Sequence, residues 1–326
     1  MLGYARHNRR VIGYAVGVIA LATVAFANTA TAQGKAPSTS SARKSGGTSQ
    51  IVFLGTGYPR PMPDRMGPAV AIVVNGTPYL VDAGVGLVRR AEEANRAGVK
   101  ALTARNLRFA FITHLHSDHT IGLPDLITTP WIMGRDKPLE LYGPPGISSM
   151  ARHLREAYKE DNNIRVKGLE QQSSAGSEVN AYDVKPGVIY SDSNVRVTAF
   201  PVKHGAWKNA YGYRFETPDR IIVIGGDTSP SESILANCNG CDVLIHEVYT
   251  QLGYSRSTEA WQKYITSFHT STKELAELAT KARPKTLILY HQMYFGGPTD
   301  TEAVLLKEIR AGYKGRVVAA HDLDVY

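Results

Sequence analysis

Cysteine is scarce in this sequence, which has only Cys238 and Cys241 among its 326 residues. A zinc site built from two cysteine pairs is excluded, because the chain offers no second pair. A short-loop disulfide formed after export and a pair of inert thiols remain as alternatives for these two residues. On either alternative the two cysteines are not catalytic, so any catalytic or metal-binding residues must be other side chains.

The chain also lacks a strong excess of charge beyond its first fifty residues. The formal net charge is +8, but six of the 37 basic residues and none of the 29 acidic ones precede Ile51. The remaining 31 basic residues nearly balance the 29 acidic ones, which leaves +2. This balance argues against a nucleic-acid-binding domain, because such domains normally carry a strongly basic face.

Long apolar runs are missing except at the start of the chain. Residues 1–32 combine basic residues, an apolar run from Val11 to Ala27 and the small residues Ala30-Thr31-Ala32, which is the pattern of a cleaved export signal. We expect a periplasmic or secreted protein with no stable membrane association after cleavage, and an uncleaved anchor is the alternative. Residues 33–49, rich in Ser, Gly, Lys and Thr, are predicted to be a flexible linker. Residues 50–326 then form one domain.

The most informative stretch is a histidine-rich motif that follows a short apolar segment. Residues 109–112 have the pattern of a β-strand, and His114, His116, Asp118 and His119 come directly after it. On an extended or tightly turning backbone, the first two histidines project to the same side, while Asp118 and His119 can aim at a second point. The pattern therefore predicts a centre for two metal ions.

Apolar strands that end in a single His, Asp or Glu recur along the chain. They end at Asp82, His114, His204, Asp227, Glu247 and His291. Amphipathic helices are predicted at residues 87–98, 231–237, 272–282 and 301–311. This alternation predicts an α/β fold in which helices cover both outer faces of a sheet pair and the polar residues gather at one edge.

The order of these motifs resembles that of the dinuclear metallo-β-lactamase-fold hydrolases over about residues 50–326. Within that superfamily, five segments look like the ribonuclease Z and arylsulfatase-like branch: residues 53–57, 111–116, 226–228, 241–247 and 269–272. The resemblance implies a four-layer αβ/βα sandwich, classed as α/β or in some schemes α+β. It also implies two zinc ions per protomer, with manganese or iron as alternative metals.

The resemblance assigns roles to individual side chains. His114, His116 and His204 would bind one zinc, Asp118, His119 and His291 would bind the second, and Asp227 would bridge them. A hydroxide between the ions would be the nucleophile, and Asp118 counts among the catalytic residues as well as the ligands. Glu247 and His269 would protonate the leaving oxygen, and Asp82 would hold a histidine ligand in place. Ordinary structural roles remain the alternative for Glu247 and His269.

Two departures separate the chain from ribonuclease Z. Enzymes of that kind commonly carry a long Gly-rich arm that holds the tRNA elbow, whereas His204 to Asp227 leaves room only for two strands joined by residues 217–220. The loop after Gly57 also differs, since only Arg65 is reminiscent of the usual pattern. We therefore expect a small phosphodiester or sulfate ester as the substrate, and not a structured tRNA.

Other functions stay open at this point. A ribonuclease Z-like endoribonuclease and a lactonase or β-lactamase-like hydrolase are the enzymatic alternatives, although β-lactamases of this fold typically lack the bridging aspartate. A zinc-stabilised binding protein is the non-enzymatic alternative, and the complete ligand set argues against it. A homodimer is compatible with the sequence. The substrate site could be lined by aromatic residues near the motifs, namely Trp131, Trp207, Tyr211, Tyr249, Tyr254, Trp261 and Tyr294.

Overall fold

Two β-sheets packed face to face, with helices on both outer faces, make up the structure, a computed structural model that describes residues 49–326. The four-layer sandwich expected from the sequence is thereby confirmed. Residues 1–32, predicted to be a signal peptide, and nearly all of the predicted linker lie outside the described residues, although Ser49, the last residue of that predicted linker, already belongs to the first strand. Within the described residues, no helix has the length and apolar character required to cross a bilayer.

The first sheet has six strands that lie side by side in chain order. They are β1 (Ser49–Gly55), β2 (Ala69–Val74), β3 (Thr77–Val81), β4 (Phe109–Phe111), β5 (Leu139–Gly143) and β6 (Val179–Asp183). The first three pair antiparallel, and β3 to β6 pair parallel. Asn75 and Gly76 turn the chain between β2 and β3 with φ angles of 49° and 78°, the left-handed conformation that a tight hairpin requires.

The second sheet has seven strands, ordered β13-β12-β11-β10-β9-β8-β7. They are β7 (Gly187–Ser191), β8 (Arg196–Pro201), β9 (Tyr211–Glu216), β10 (Ile221–Ile224), β11 (Val243–Tyr249), β12 (Thr286–Met293) and β13 (Val317–Ala319). β7 to β10 pair antiparallel, and β10 to β13 pair parallel. The parallel strands are joined through helices, as parallel pairing requires.

Ten α-helices occur in the described residues. They are α1 (Leu87–Arg96), α2 (Ser117–Thr120), α3 (Leu123–Ile132), α4 (Ile147–Ala157), α5 (Lys159–Lys167), α6 (Glu232–Cys238), α7 (Gln251–Ser255), α8 (Glu259–Phe268), α9 (Thr272–Ala282) and α10 (Glu302–Gly312). The four helices predicted from amphipathic spacing are α1, α6, α9 and α10: α9 has the predicted ends, and the other three differ from the prediction by one or two residues at an end. Ser271 begins α9 with a capping box, in which Ser271 and Glu274 each accept from the other's backbone N–H.

Aromatic and branched side chains fill the space between the sheets. Phe111 on β4 stacks on Tyr142 of β5 and meets Phe215 of β9 edge-on, with ring centroids 5.1 and 5.5 Å apart. The opposite face of the first sheet packs against α1, α3 and α4, and that of the second sheet packs against α6, α9 and α10. Burial on both faces fixes the strand register, so the residues that follow the strands emerge at a defined edge.

Several elements differ from the sequence-based expectation. Residues 161–187 are polar and weakly patterned in the sequence, but they contain most of α5 and all of β6. β6 is an edge strand with half-exposed side chains, so it carries little apolar alternation. Helix α8 was also not predicted. Cys238 and Cys241 form a disulfide, which decides between the two alternatives for this pair.

Candidate metal centre

Polar residues that follow or end strands of both sheets meet at one edge of the sandwich. The structure brings all seven expected ligands together. His114, His116 and His204 form one group, Asp118, His119 and His291 form a second, and Asp227 lies with His114 and His119. Within each group, the candidate ligand atoms all lie within 4.8 Å of one another. Such spacing is short enough for a single ion to contact every member of a group.

The first group consists of three imidazoles whose nitrogens point at a common position. Nδ1 of His116 lies 3.0 Å from Nε2 of His114 and 3.0 Å from Nε2 of His204. The His204 ring is oriented by its other nitrogen, Nδ1, which donates to the carbonyl of Phe268 at 2.8 Å. The indole N–H of Trp207 donates to Nε2 of His116 at 2.7 Å and covers that side of the ring. These contacts fix the planes of the rings.

The second group combines carboxylates with imidazoles. Oδ2 of Asp118 lies 3.3 Å from Nε2 of His291 and 3.4 Å from Nε2 of His119. Oδ2 of Asp227 lies 3.4 Å from each of the same two nitrogens. Asp227 is also grouped with His114, so its carboxylate stands between the two groups. This is where a bridging ligand would have to be.

Two buried atoms at the centre of this cluster test whether the residues fit a metal. Nε2 of His119 and Oδ1 of Asp227 are buried and have no hydrogen-bond partner in the described structure. Leaving a buried polar atom unpaired costs about 1–3 kcal/mol. An unpaired atom of this kind therefore indicates a missing partner, such as a bound metal ion. Imidazole nitrogens and carboxylate oxygens are ligands typical of zinc. The cluster therefore fits divalent metal binding.

Burial keeps the histidines of the first group neutral. It lowers the pKa of His114 well below its ordinary value and the pKa of His204 to about 4. The pKa of the half-buried His116 is lowered for the same reason. Near pH 7, these rings carry lone pairs that a cation can accept.

The two carboxylates of the cluster are ionised. Burial alone would raise the pKa of Asp118, but the adjacent His119 and His291 lower it to about 2. Burial also opposes the charge of Asp227, and the same two histidines overcome that effect and hold its pKa well below the ordinary value. Both carboxylates are thus ionised near pH 7 and, against the effect of burial, raise the pKa values of His119 and His291.

Asp82 supports the cluster from behind. Its Oδ2 lies 2.8 Å from Nδ1 of His119, and its Oδ1 accepts from the backbone N–H of Thr113 at 2.8 Å. Sequence reasoning placed Asp82 next to a histidine but missed Thr113, whose only signal was its place before His114. Asp82 and His291 have positive φ angles of 62° and 44°. Such backbone strain costs on the order of 1–3 kcal/mol and is concentrated at functional sites.

Glu247 and His269 lie together beside the cluster. Nδ1 of His269 is 3.4 Å from Oε1 of Glu247 and 3.9 Å from Oδ2 of Asp227. The backbone N–H groups of Thr270 and Thr228 donate to the same Glu247 oxygen at 2.9 and 3.3 Å. Burial and the charge of Asp227 raise the pKa of Glu247 well above its ordinary value, and burial lowers the pKa of His269 to about 4.

A pocket of about 460 Å³ opens beside Asp118. Its lining is mostly apolar and includes Tyr58, Met62, Met66, Val85 and Ile121. Most of these residues belong to the proline-rich loop of residues 58–68.

Only some of the aromatic residues expected at the site are there. Trp207 covers His116, and Trp261 lies on α8. Trp131 is instead buried away from the cluster, where its indole N–H donates to the carbonyl of Ser173. Tyr211 is buried in the core between the sheets. Sequence position near a motif did not distinguish rings beside the cluster from rings buried elsewhere, because it does not determine which way a ring points.

A sandwich of this architecture, with a His and Asp cluster at its strand ends, defines a hydrolase of the metallo-β-lactamase fold. The family profile of the beta-lactamase superfamily domain matches residues 77–292, and the chain belongs to this superfamily. The fold and branch expected from the sequence are confirmed.

The relatives of the chain specify the branch. Ribonuclease Z of Mycobacterium bovis (strain BCG / Pasteur 1173P2) is 29% identical over 280 residues, which cover 84% of this chain and 96% of the relative. Ribonuclease Z of Mycobacterium marinum (strain ATCC BAA-535 / M) is 29% identical over 279 residues, with the same coverage. The chain is thus a metal-dependent hydrolase of the ribonuclease Z branch that acts on ester bonds.

Solved structures agree with this fold. The metallo-beta-lactamase fold protein YhfI from Bacillus subtilis superposes with a TM-score of 0.64 at 17% identity, covering 85% of this chain and 99% of that one. The short form of human tRNase Z superposes with a TM-score of 0.62 at 23% identity, covering 85% of this chain and 98% of that one.

Proposed function

We propose that the chain is an exported dinuclear-zinc hydrolase of small phosphodiesters or sulfate esters. The observation that carries the proposal is the position of Asp227, whose Oδ2 is 3.4 Å from both His119 and His291 while the residue also groups with His114. A carboxylate between two ligand groups is the arrangement that a pair of ions needs. His114, His116 and His204 would hold one ion, and Asp118, His119 and His291 the other.

Two cations at this position would lower the pKa of a bound water and neutralise charge on a phosphoryl or sulfuryl group. The protein's own residues would hold the ligands in place and shape the space for the substrate. Asp82 fixes the His119 ring, the indole N–H of Trp207 binds Nε2 of His116, and the largely apolar pocket beside Asp118 offers space for a small ester next to the centre. Arg60, in the lining of that pocket, offers a positive charge to an anionic ester.

Glu247 and His269 supply the proton for the leaving oxygen. His269 is neutral near pH 7, because burial lowers its pKa to about 4. An anionic ester bound next to the ring would favour its protonated form, as the charge of Asp227 at 3.9 Å also does, and the carboxyl group of Glu247 at 3.4 Å would orient the ring. His269 is thus suited to carry a proton mainly while substrate is bound.

The path from β9 to β10 supports a small substrate. The two strands form a hairpin whose turn, residues 217–220, closes with the N–H of Thr217 donating to the carbonyl of Arg220 at 2.9 Å. A long arm between His204 and Asp227 has no place there. The near balance of charge after residue 50 points the same way, because tRNA binding requires many cations.

A ribonuclease Z-like endoribonuclease is the second candidate. It is favoured by the relatives that bear this name and match almost the whole of the folded chain. The two candidates share the metal centre, so only the substrate separates them.

One substrate panel tests the proposal. Protein purified from the periplasm, with a mass expected for a chain beginning at Gln33, is assayed with bis-p-nitrophenyl phosphate, p-nitrophenyl sulfate, a lactone, a β-lactam and a precursor tRNA. We expect the phosphodiester or the sulfate ester to give the highest kcat/KM, and a chelator to abolish the activity. His153→Ala, a change of an exposed histidine on α4, serves as the control.

Two outcomes would contradict this proposal. Cleavage of the precursor tRNA at least as fast as the small diester would favour the endoribonuclease. Fastest turnover of the lactone or the β-lactam would exclude both candidates.

A further inference from the structure

Three aromatic side chains on α8 form a continuous stack that we call the aromatic ladder: Trp261, Tyr264 and Phe268. Their spacing of three and four residues places them on one face of the helix. The rings of Trp261 and Tyr264 are 4.9 Å apart with an interplanar angle of 28°, and those of Tyr264 and Phe268 are 4.6 Å apart at 27°. The ladder therefore presents parallel ring faces along one line.

The inner end of the ladder rests on the metal centre. Phe268 stacks on His116 at 6.3 Å and meets His204 edge-on at 5.0 Å. Its ring also lies against Gly205, where any Cβ would overlap it. Gly205 has a φ angle of +52° as well, so both space and backbone conformation favour glycine there. The contact holds the end of the ladder against two of the candidate ligands.

The outer end of the ladder is open to solvent. Trp261 is 41% exposed and Tyr264 is 38% exposed. Phe295 extends the same wall: it lies 5.6 Å from Trp261 and 5.9 Å from Tyr58, whose ring is 6.4 Å from His291. Aromatic rings thus connect both ligand groups to the surface.

The ladder also passes the proposed proton donor. The ring of Tyr264 is 6.5 Å from the ring of His269. Burial, followed by the charges of Asp227 and Asp118, raises the pKa of Tyr264, so its phenol stays uncharged beside the cluster. A group attached to the oxygen that His269 protonates would lie against Tyr264 and Trp261.

We propose that the aromatic ladder is a stacking subsite for a flat aryl group carried by the substrate ester on its leaving-oxygen side. The proposal rests on the proposed function and narrows its substrate class. A planar ring can stack on the exposed Tyr264 and Trp261 while its ester reaches the centre. A single aryl ring fits better than a run of nucleobases, because only two rungs are exposed and the folded chain has little excess positive charge.

Binding measurements on the zinc-loaded chain test this subsite without relying on turnover. Phenylphosphonate, cyclohexylphosphonate, methylphosphonate and adenosine 5′-monophosphate are titrated by calorimetry. We expect phenylphosphonate to bind about tenfold more tightly than the cyclohexyl and methyl compounds, because stacking requires a flat ring. The preference should fall to about twofold in Trp261→Ala and Tyr264→Ala, and Trp261→Phe should largely restore it.

Controls separate stacking from misfolding. Tyr158→Ala removes an exposed ring at the junction of α4 and α5 and should keep the full preference. Circular dichroism and bound zinc, measured for every variant, show whether the centre is intact. Methylphosphonate affinity should be the same in all of them.

The outcomes are distinct. Equal binding of the phenyl and cyclohexyl compounds to the unmodified chain, or a phenyl preference that survives both alanine substitutions, would overturn the subsite. Tighter binding of the nucleotide than of phenylphosphonate, dependent on Trp261, would overturn the choice of an aryl group in favour of a nucleobase. If no phosphodiester or sulfate ester is hydrolysed while binding still depends on Trp261, the proposed function fails and the subsite stands.

Discussion

His269 shows how much a single side chain depends on its surroundings. It is almost fully buried, 3.4 Å from Glu247 and 3.9 Å from Asp227, yet its Nδ1 has no hydrogen-bond partner in the described structure. Burial favours the neutral ring and lowers its pKa, and the charges of Asp227 and Asp118 favour the protonated one. A group balanced in this way can take up a proton and release it during turnover.

We predict that His269→Gln slows the hydrolysis of poor leaving groups far more than that of good ones. A p-nitrophenolate ion leaves without a proton, whereas an alkoxide needs one, so losses of about 10²–10⁴-fold in kcat are expected only for alkyl esters. The measurement is kcat against leaving-group pKa for the unmodified chain and the variant. His153→Gln, on the surface of α4, is the matched control. Equal losses across the series would exclude the proton-donor role.

The clustering of the candidate ligands could be predicted residue by residue, but their supporting contacts could not. His114 to His119 stand out because so many metal-binding side chains seldom adjoin a strand for packing reasons. Thr113 and Phe268 do not stand out, since a threonine and a phenylalanine have many ordinary uses. What makes them part of the site is the carboxylate of Asp82 and the nitrogen of His204, which are distant in sequence.

At the scale of elements, the proline-rich loop beside the site is held by one carboxylate. Asp322 accepts hydrogen bonds from the backbone N–H and the hydroxyl of Thr56 at 2.9 and 2.8 Å, and from the backbone N–H of Met66 at 2.7 Å. Nε of Arg90 on α1 donates to it at 3.2 Å. One buried side chain thus joins β1, α1 and the loop that lines the pocket.

We predict that Asp322→Ala lowers the free energy of unfolding by about 2–4 kcal/mol, because it leaves two backbone N–H groups, the Thr56 hydroxyl and Nε of Arg90 without their acceptor. Urea unfolding followed by circular dichroism measures the change. Asp322→Asn, which keeps one acceptor oxygen, should cost less. Asp64→Ala, an exposed aspartate in the same loop, is the control. If Asp322→Ala were no less stable than Asp64→Ala, this carboxylate would not hold the loop.

Buried strands could be predicted from the sequence more readily than surface elements. β4, β10 and the first three residues of β11 are continuous apolar runs because both of their faces are covered. β6 and α8 lie at an edge and at the surface, where side chains are mixed and the periodic signal is weak. The aromatic ladder follows a helical spacing in the sequence, but its stacking became visible only with the position of Phe268 against Gly205.

At the scale of the whole molecule, two sheets bring together residues from Asp82 to His291. The fold could be predicted because the alternation of strands and helices and the order of the motifs both indicate the same sandwich. The substrate could not be predicted, because its recognition depends on loops and on helix α8. The side chains of these segments follow no fixed pattern in the sequence. The short β9–β10 turn was the one loop that limited the choice of substrate, because a segment of this length has no room for a tRNA-binding arm.

The most direct test of the central claim is a zinc titration of the chelator-stripped chain. Bound zinc and hydrolysis of bis-p-nitrophenyl phosphate are followed together in the unmodified chain and in Asp227→Asn. We predict about two ions per protomer, with activity appearing as the second ion binds. Asp227→Asn should bind fewer ions and lose about 10²-fold or more in kcat/KM. Full activity with one ion, or an Asp227→Asn variant that keeps both ions and full activity, would contradict a bridged two-metal centre.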